Sequence, residues 1–208
     1  MKKVLHVGCG QKSIPQMPLG FQDGEWTEVR FDINESVRPD IIGTITNMVD
    51  VEDSSVDALF SSHNIEHVFP HEVVGVLSEF RRVIKKDGFV VVTCPDLQEV
   101  CKNIAEGNGA ITKPLYQSTA GTITPLDILY GHIASVSRGE IYMAHKTGFD
   151  LQSLGGSFKE AGFARYLGYR NPGAYELWMI GFNEEKDSEQ GNSLMREFCG
   201  NPPRKTLV

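Results

Sequence analysis

Two glycines and a carboxylate stand where two short apolar segments of the sequence end. Gly8 and Gly10 follow the apolar segment 3–7, and Asp32 closes the segment 29–32. A backbone without a Cβ can approach a ligand closely, and a carboxylate accepts hydrogen bonds from hydroxyl groups. Ligands of parallel α/β sheets bind at the carboxyl ends of the strands. The pattern therefore predicts a nucleoside site at the ends of the first two strands.

A second set of side chains could move a proton. His63 and His67 follow the fourth predicted strand, Asp96 follows the fifth, and His145 lies in a long irregular segment. Imidazole and carboxylate groups act as general acids and bases when their pKa values lie near the working pH. We therefore predict His63, His67, Asp96 and His145 as candidate catalytic residues. The spacing of the histidines and cysteines is not typical of a metal site, so we predict no metal.

The elements that must position these residues alternate between strand and helix patterns. Strands are predicted at residues 3–7, 29–32, 41–45, 57–62, 89–93, 163–170 and 175–182, and helices at 70–86, 97–105 and 150–161. The helix at 70–86 has apolar residues at helical spacing, with Lys85 and Lys86 in its last turn and Gly88 as its left-handed cap. The turn residues 171–173 predict a hairpin between the last two strands. We therefore expect a doubly wound, mostly parallel, Rossmann-like α/β sheet with a C-terminal antiparallel hairpin.

The length of 208 residues and the 40% hydrophobic content suit one globular domain. We predict a single domain over residues 1–183, with an insertion at about 97–146 that caps the site. A polar tail over 184–208 is expected to hold one loose helix near 193–198, followed by disorder. Aromatic and basic side chains of the insertion could line a pocket, namely Tyr130, His132, Tyr142, His145 and Lys146.

Charge and hydropathy limit the partners. The net charge of −7 disfavours a broad nucleic-acid interface, so we expect no duplex nucleic acid. No apolar stretch reaches the roughly 18 residues of a membrane span, and no signal segment is evident. We therefore expect a cytoplasmic protein without a membrane span. The hairpin edge or the insertion could pair two copies in a homodimer.

The residues after Gly10 narrow the choice of nucleoside. A dinucleotide site needs a third glycine and a helix whose N-terminus holds the pyrophosphate. Ser13 stands in place of that glycine, and Pro15 and Pro18 interrupt any helix. S-adenosylmethionine carries no phosphate, so its binding tolerates this loss. The residues favour S-adenosylmethionine, with a nicotinamide-dependent reductase as the weaker alternative.

An ordered set of segments resembles the class I S-adenosylmethionine-dependent methyltransferases, in particular their type 11 branch. The segments are VLHVGCG at 4–10, FD at 31–32, DALFSSHNIEHV at 57–68, EFRRVIKKDG at 79–88, TCPD at 93–96 and GF at 148–149. The resemblance covers residues 3–182. It implies S-adenosylmethionine as the cofactor and methyl transfer by in-line displacement at the sulfonium. An acidic protein with a lid suits a small-molecule or glycan-type acceptor.

The resemblance also implies a set of cofactor-binding residues. These are His6, Gly8, Cys9, Gly10, Asp32, Asn47, Met48, Ser62 and His63. Within this set, Asp32 would hold the ribose hydroxyls, and Asn47 and Met48 would face the adenine. Ser62 and His63 would line the side that carries the methyl group.

Two positions depart from the family pattern. His6 stands where the family usually has an acid that orients the amino-acid end of the cofactor, and Lys12 stands where it has a third glycine. These departures motivate a further alternative, a non-catalytic protein on a methyltransferase fold.

Overall fold

The computed structural model describes residues 1–107, 109–118 and 121–200 and consists of nine strands and six α-helices within those ranges. The strands are β1 Lys2–Val7, β2 Trp26–Asp32, β3 Ile41–Ile42, β4 Val56–Ser62, β5 Ile84–Pro95, β6 Tyr116–Ser118, β7 Gly121–Ile123, β8 Arg165–Asn171 and β9 Glu176–Phe182. The helices are α1 Val73–Val83, α2 Leu97–Ala105, α3 Pro125–Tyr130, α4 Ile133–Ser137, α5 Leu151–Glu160 and α6 Ser188–Phe198.

Seven of these strands form one sheet in the order β3-β2-β1-β4-β5-β9-β8. The neighbouring strands from β3 to β5 are parallel, and β9 is antiparallel to both β5 and β8. The predicted fold class and the C-terminal hairpin are therefore confirmed. The chain leaves β1 towards β2 and returns to β4 on the other side of β1. Such a switch point opens a crevice at the carboxyl ends of the strands, where ligands bind.

The sheet is covered on both faces, which explains its continuous apolar segments. In β5, Val90 and Val92 contact the core beneath α1 and α5, whereas Val91 contacts the opposite core. All three valines are fully buried. The opposite core is closed by α6, whose Phe198 ring lies 4.8 Å from the ring of Phe21 and 4.6 Å from that of Phe89, centroid to centroid.

The predicted helix 70–86 is wrong at its C-terminal end. Helix α1 stops at Val83, and β5 begins at Ile84, which pairs with Val56 of β4. Lys85 therefore lies in a strand, where its Nζ contacts Oδ1 of Asp57 at 2.7 Å. Gly88 is not a left-handed cap, since its φ is not positive. A Cβ there would lie 2.8 Å from the carbonyl oxygen of Asp57, so the close approach of two strands requires glycine.

Two loops explain why the first crossovers contain no α-helix. The proline-containing segment after β1 forms two 3₁₀ turns, Ile14–Gln16 and Leu19–Phe21, as the prolines predict. The short link between β2 and β3 holds a third turn, Glu35–Val37, and β3 itself is shorter than predicted.

The segment between β5 and α5 contains most of the structure above the sheet edge. It begins with α2, which has the predicted bounds, and continues through the β6–β7 hairpin, α3, α4 and the 3₁₀ turn Ile141–Met143. The single-domain boundary at residue 183 remains a prediction.

The tail differs from the loose helix that the sequence predicts. Helix α6 begins at the N-cap Asp187, whose carboxylate accepts the backbone N–H of Gln190, and it buries Met195 and Phe198. The predicted disorder falls on residues 201–208, which lie outside the described residues. Within the described ranges, no helix combines the length and apolar character needed to cross a membrane.

Candidate active site

The loop after β1 presents its backbone at the carboxyl edge of the sheet. Gly8 and Gly10 have φ angles of +63° and +52°, which glycine adopts without a steric penalty. The N–H of Gly8 donates to the carbonyl of Phe31 at 2.9 Å, which ties the loop to β2. A Cβ on Gly10 would meet no atom within 4 Å. The loop backbone at Gly10 therefore borders open space.

Asp32 ends β2 beside this loop. Its Oδ2 accepts the N–H of Gly10 at 2.8 Å, and its Oδ1 accepts the N–H of Asn34 at 2.8 Å. Each carboxylate oxygen has two lone pairs. The carboxylate therefore keeps capacity for two further donors, such as vicinal hydroxyls.

A first cavity of about 430 Å³ lies over the ends of β1 and β2. Gly8, Gly10 and Asp32 line it, together with Thr44, Ile45 and Thr46 from the loop after β3. The turn 141–143 contributes Tyr142, whose hydroxyl accepts a hydrogen bond from Asn34 Nδ2 at 3.0 Å. The volume lies within the usual range for a site that encloses a small molecule.

The predicted adenine contacts Asn47 and Met48 line neither this cavity nor the second one. Met48 is 1% exposed and packs in the core, and its N–H donates to Glu79 Oε2 at 3.0 Å. Because β3 has only two residues, the loop reaches the cavity earlier in the sequence. Thr44, Ile45 and Thr46, from the residues just before Asn47, line the cavity instead.

A second cavity of about 760 Å³ lies beside the first, over the ends of β4 and β5. His6, Cys9 and Ser62 from the predicted cofactor set line it, as does Lys12. The insertion supplies its other wall with Tyr116, Ser118, Ile123, Asp127, Ile128, His132 and His145.

The two cavities share one wall. Gly8, Gly10, His63, His67 and Met143 line both. A ligand in the first cavity would therefore border a ligand in the second at this wall.

His63 has an unusual backbone and a charged environment. Its φ of +52° is rare for a residue with a Cβ. Nε2 lies 2.8 Å from Glu176 Oε1, and Nδ1 lies 3.5 Å from Glu66 Oε1. Burial lowers the pKa of His63, but the carboxylates of Glu176 and Glu66 outweigh it and raise the pKa to about 9. His63 is therefore an imidazolium at neutral pH.

His67 and His145 lie together next to Glu66. Their ring centroids are 4.9 Å apart, and Nε2 of His145 lies 3.9 Å from Glu66 Oε1. Burial lowers the pKa of His145 more than Glu66 raises it, so this ring is neutral at pH 7. Burial also raises the pKa of Glu66, but the surrounding histidines, His63 above all, outweigh that effect and keep it below its ordinary value.

Asp96 is the predicted catalytic residue that the structure places apart from the others. It is fully buried and lines neither cavity. Its Oδ1 accepts the N–H of Glu99 as the N-cap of α2, and its Oδ2 contacts Nε of Arg170 at 2.6 Å. These contacts join the end of β5 to β8 and account for a buried carboxylate here.

Three further residues of the predicted cofactor set, His6, Cys9 and Ser62, line the second cavity. Nδ1 of His6 lies 2.7 Å from Glu28 Oε1, so a carboxylate is adjacent although position 6 itself is a histidine. Burial raises the pKa of Cys9 to about 11, which makes it a thiol at neutral pH. Ser62 Oγ accepts a hydrogen bond from Thr93 at 3.0 Å.

The sequence analysis did not single out Glu176 or Tyr175. Glu176 begins β9 and pairs with Pro95 at the end of β5, because an antiparallel strand starts at the edge where its parallel neighbours end. The predicted C-terminal hairpin would have indicated that this strand starts beside the end of β5. Tyr175 lies beside it, and its ring stacks on Tyr116 with centroids 6.3 Å apart.

Comparisons with known proteins agree with this geometry. Residues 5–92 match the model of a methyltransferase domain family, Methyltransf_11. No curated protein matches the sequence.

Solved structures resemble the chain across most of its length. The PH0226 protein of Pyrococcus horikoshii is 17% identical, with a TM-score of 0.59 over 88% of this chain and 82% of its own. A SAM-dependent methyltransferase of Thermotoga maritima is 14% identical, with a TM-score of 0.54 over 88% and 83%. One of Methanosarcina mazei is 12% identical, with a TM-score of 0.52 over 88% and 93%. At these identities the structures show the fold. Residues 5–92 therefore match a methyltransferase domain family, and the chain has the class I methyltransferase fold.

Proposed function

We propose that the protein transfers the methyl group of S-adenosylmethionine from the first cavity to a small-molecule or glycan-type acceptor in the second. The observation that carries this proposal is the shared wall at Gly8, Gly10, His63, His67 and Met143. In-line displacement needs donor and acceptor to face each other at a short distance. Two cavities that meet at one wall satisfy this need.

The first cavity suits the nucleoside part of the cofactor. The open space at Gly10 allows the backbone to lie against the ligand, and Asp32 retains lone pairs for the ribose hydroxyls. Thr44, Ile45 and Thr46 offer small and apolar side chains to the adenine. A 3₁₀ turn rather than an α-helix follows the glycines, which suits a cofactor without phosphate.

The amino-acid end of the cofactor would lie where Gly8 and Gly10 border both cavities. His6 with Glu28, Cys9 and Ser62 are the remaining residues proposed to orient it. The paired carboxylate of Glu28 offers the negative charge that position 6 itself lacks.

The chain's task is alignment and exclusion of water. S-adenosylmethionine supplies an already activated sulfonium methyl, so positioning can account for much of the rate. Tyr142, held by Asn34 next to Asp32, covers the first cavity from the insertion. The closed insertion would keep water from the methyl group.

The second cavity restricts the acceptor by its charge and shape. The carboxylates of Glu66, Asp127 and Glu176 in its lining outnumber the cationic side chains, Lys12 and His63, so an anionic acceptor is disfavoured. Tyr116 and Tyr175 present stacked rings that suit a planar or sugar ring. We therefore favour a neutral or cationic small acceptor.

Proton transfer is assigned to the histidines at this cavity. A hydroxyl or thiol acceptor must lose a proton during transfer, and the neutral ring of His145 and the adjacent His67 can receive it. His63, an imidazolium between two carboxylates, would hold the shared wall in place. Asp96 is left out of this group because it lines neither cavity.

A methyl-transfer assay tests the proposal. The protein would be incubated with methyl-labelled S-adenosylmethionine and a panel of neutral and cationic acceptors that carry hydroxyl, thiol or amino groups. We expect labelled product with the wild-type protein and a large loss with Asp32→Ala. Cofactor binding without transfer to any acceptor of the panel would contradict catalysis and support the non-catalytic alternative.

A further inference from the structure

We propose that Glu66, His67 and His145 form a binding site for one divalent metal ion of the zinc class in the wall of the second cavity. One potential ligand atom from each residue lies within 4.8 Å of the other two. The sequence analysis predicted no metal because it considered spacing along the chain. The fold brings His145 of the insertion onto the segment after β4, which spacing alone does not reveal.

The carboxylate of Glu66 is buried with only a long contact to a cationic group, the ring of His63. The residue is 1% exposed, and within the described part of the chain neither carboxylate oxygen has a hydrogen-bond partner. An ionised carboxylate removed from water without hydrogen bonds carries a large desolvation cost. Its contact with His63 Nδ1 is 3.5 Å long, too long for a strong charge-assisted hydrogen bond. A metal ion at Glu66 would remove this cost directly.

Both imidazoles are held in the tautomer that binds a metal. Nδ1 of His67 lies 3.1 Å from the carbonyl oxygen of Ala144, and Nδ1 of His145 lies 2.7 Å from that of Ile128. A carbonyl can only accept, so Nδ1 carries the proton in each ring and Nε2 keeps its lone pair. Metal-binding histidines commonly donate their second ring N–H to a carbonyl in this way.

The distances require the side chains to move together. Nε2 of His145 lies 3.9 Å from Glu66 Oε1, and the widest separation in the cluster is within 4.8 Å. Ligand bonds of about 2.0–2.2 Å at tetrahedral angles place ligand atoms about 3.4 Å apart. Rotation of the side chains must therefore close about 0.5 Å for the first pair and up to about 1.4 Å for the widest pair.

The donor set favours zinc with an open position. Two imidazole nitrogens and one carboxylate are a known set for catalytic zinc, with a fourth position left for water or substrate. All three residues line the second cavity, so the fourth position would face the acceptor. With zinc bound, both Nε2 atoms would be ligands and could not also accept a proton. Coordination of an acceptor oxygen or sulfur, with loss of its proton to solvent, would then replace proton transfer to these histidines. The role of the metal in activating the acceptor rests on the proposed function. Binding of the metal does not, because it can be measured without methyl transfer.

Calorimetric titration of Zn²⁺ into the chelator-treated protein tests the site. We expect one ion per chain at micromolar affinity or tighter, weakened about 100-fold by Glu66→Gln and by His145→Gln. Co²⁺ in the same protein should give the intense visible absorption of a four- or five-coordinate ion. The control His71→Gln changes an exposed histidine outside the cluster and should leave both results unchanged.

The absence of zinc binding, or binding that both variants retain, would overturn the metal site and leave His63 as the counterion of Glu66. If Glu66→Gln does not fold, as judged by circular dichroism, His145→Gln decides alone. S-adenosylhomocysteine is titrated into the same samples. If the protein binds S-adenosylhomocysteine but not zinc, the metal site alone is overturned. If it binds zinc but not S-adenosylhomocysteine, the proposed function alone is overturned.

Discussion

Replacement of Gly10 by alanine separates the role of the glycine loop in ligand binding from its role in folding. The φ of Gly10 is +52°, and a Cβ there would meet no protein atom within 4 Å. The folded protein therefore pays only the backbone strain, about 1–2 kcal/mol for a left-handed alanine. In a domain of this size that corresponds to a fall in Tm of about 2–8 °C.

We expect Gly10→Ala to weaken cofactor binding by more than the backbone strain alone would. The added methyl group would occupy the open space of the first cavity, where the cofactor is proposed to lie against the backbone. Crowding by one methyl group costs about 1–3 kcal/mol, which corresponds to about 5- to 150-fold in the Kd of S-adenosylhomocysteine. Calorimetry measures the affinity, and thermal unfolding measures the stability.

Gly24→Ala is the matched control. Gly24 has a φ of +84°, and a Cβ there would also meet nothing within 4 Å. It lines neither cavity, so Gly24→Ala should lower Tm similarly and leave the affinity unchanged. If Gly10→Ala bound S-adenosylhomocysteine as tightly as the wild-type protein, the cofactor would not lie against Gly10, and the reasoning would fail.

Three other substitutions test separate contacts. Tyr142→Phe removes the hydrogen bond from Asn34. The loss of about 1 kcal/mol should raise the Kd of S-adenosylhomocysteine about 5-fold. An unchanged Kd would contradict closure of the first cavity by the insertion. Asp96→Ala removes the N-cap of α2 and the partner of Arg170, so urea unfolding should show a loss of about 3 kcal/mol, with cofactor affinity retained. The ion pair with Arg82 keeps the pKa of Glu79 below its ordinary 4.5. The stability that this ion pair contributes is therefore present above pH 4.5 and is lost as the pH falls through the folded-state pKa of Glu79. Glu79→Gln should flatten this acid dependence of Tm, and a profile as steep as that of the wild-type protein would refute the assignment.

The sequence predicted the sheet well because its strands are buried on both faces. Such strands are continuous apolar segments, and the valines of β5 are an unambiguous case. Gly8, Gly10 and Asp32 were recognisable because they lie at or just after the carboxyl end of a strand, the edge where the cavities open. The predicted end of α1 was wrong because Lys85 and Gly88 have the residue types of a helix terminus. Pairing of Ile84 with β4 overrides that local preference.

The walls of the site were harder to predict. Asn47 and Met48 were placed by analogy, and after the two-residue β3 it is the preceding loop residues that line the first cavity. The approach of His145 to Glu66 depends on the path of an insertion without regular periodicity. Contacts of this kind are set by tertiary packing, so no local pattern in the sequence reveals them.

Titration of S-adenosylhomocysteine into the wild-type protein and into Asp32→Ala tests the central claim most directly. We predict one site of micromolar affinity, weakened about 100-fold in Asp32→Ala, because two hydrogen bonds to a charged acceptor contribute about 1.5 kcal/mol or more each. Asp187→Ala, which removes the N-cap of α6, a helix that lines neither cavity, should lower stability and keep the affinity. No binding by the wild-type protein, or equal binding by Asp32→Ala, would contradict the assignment of the first cavity to the cofactor.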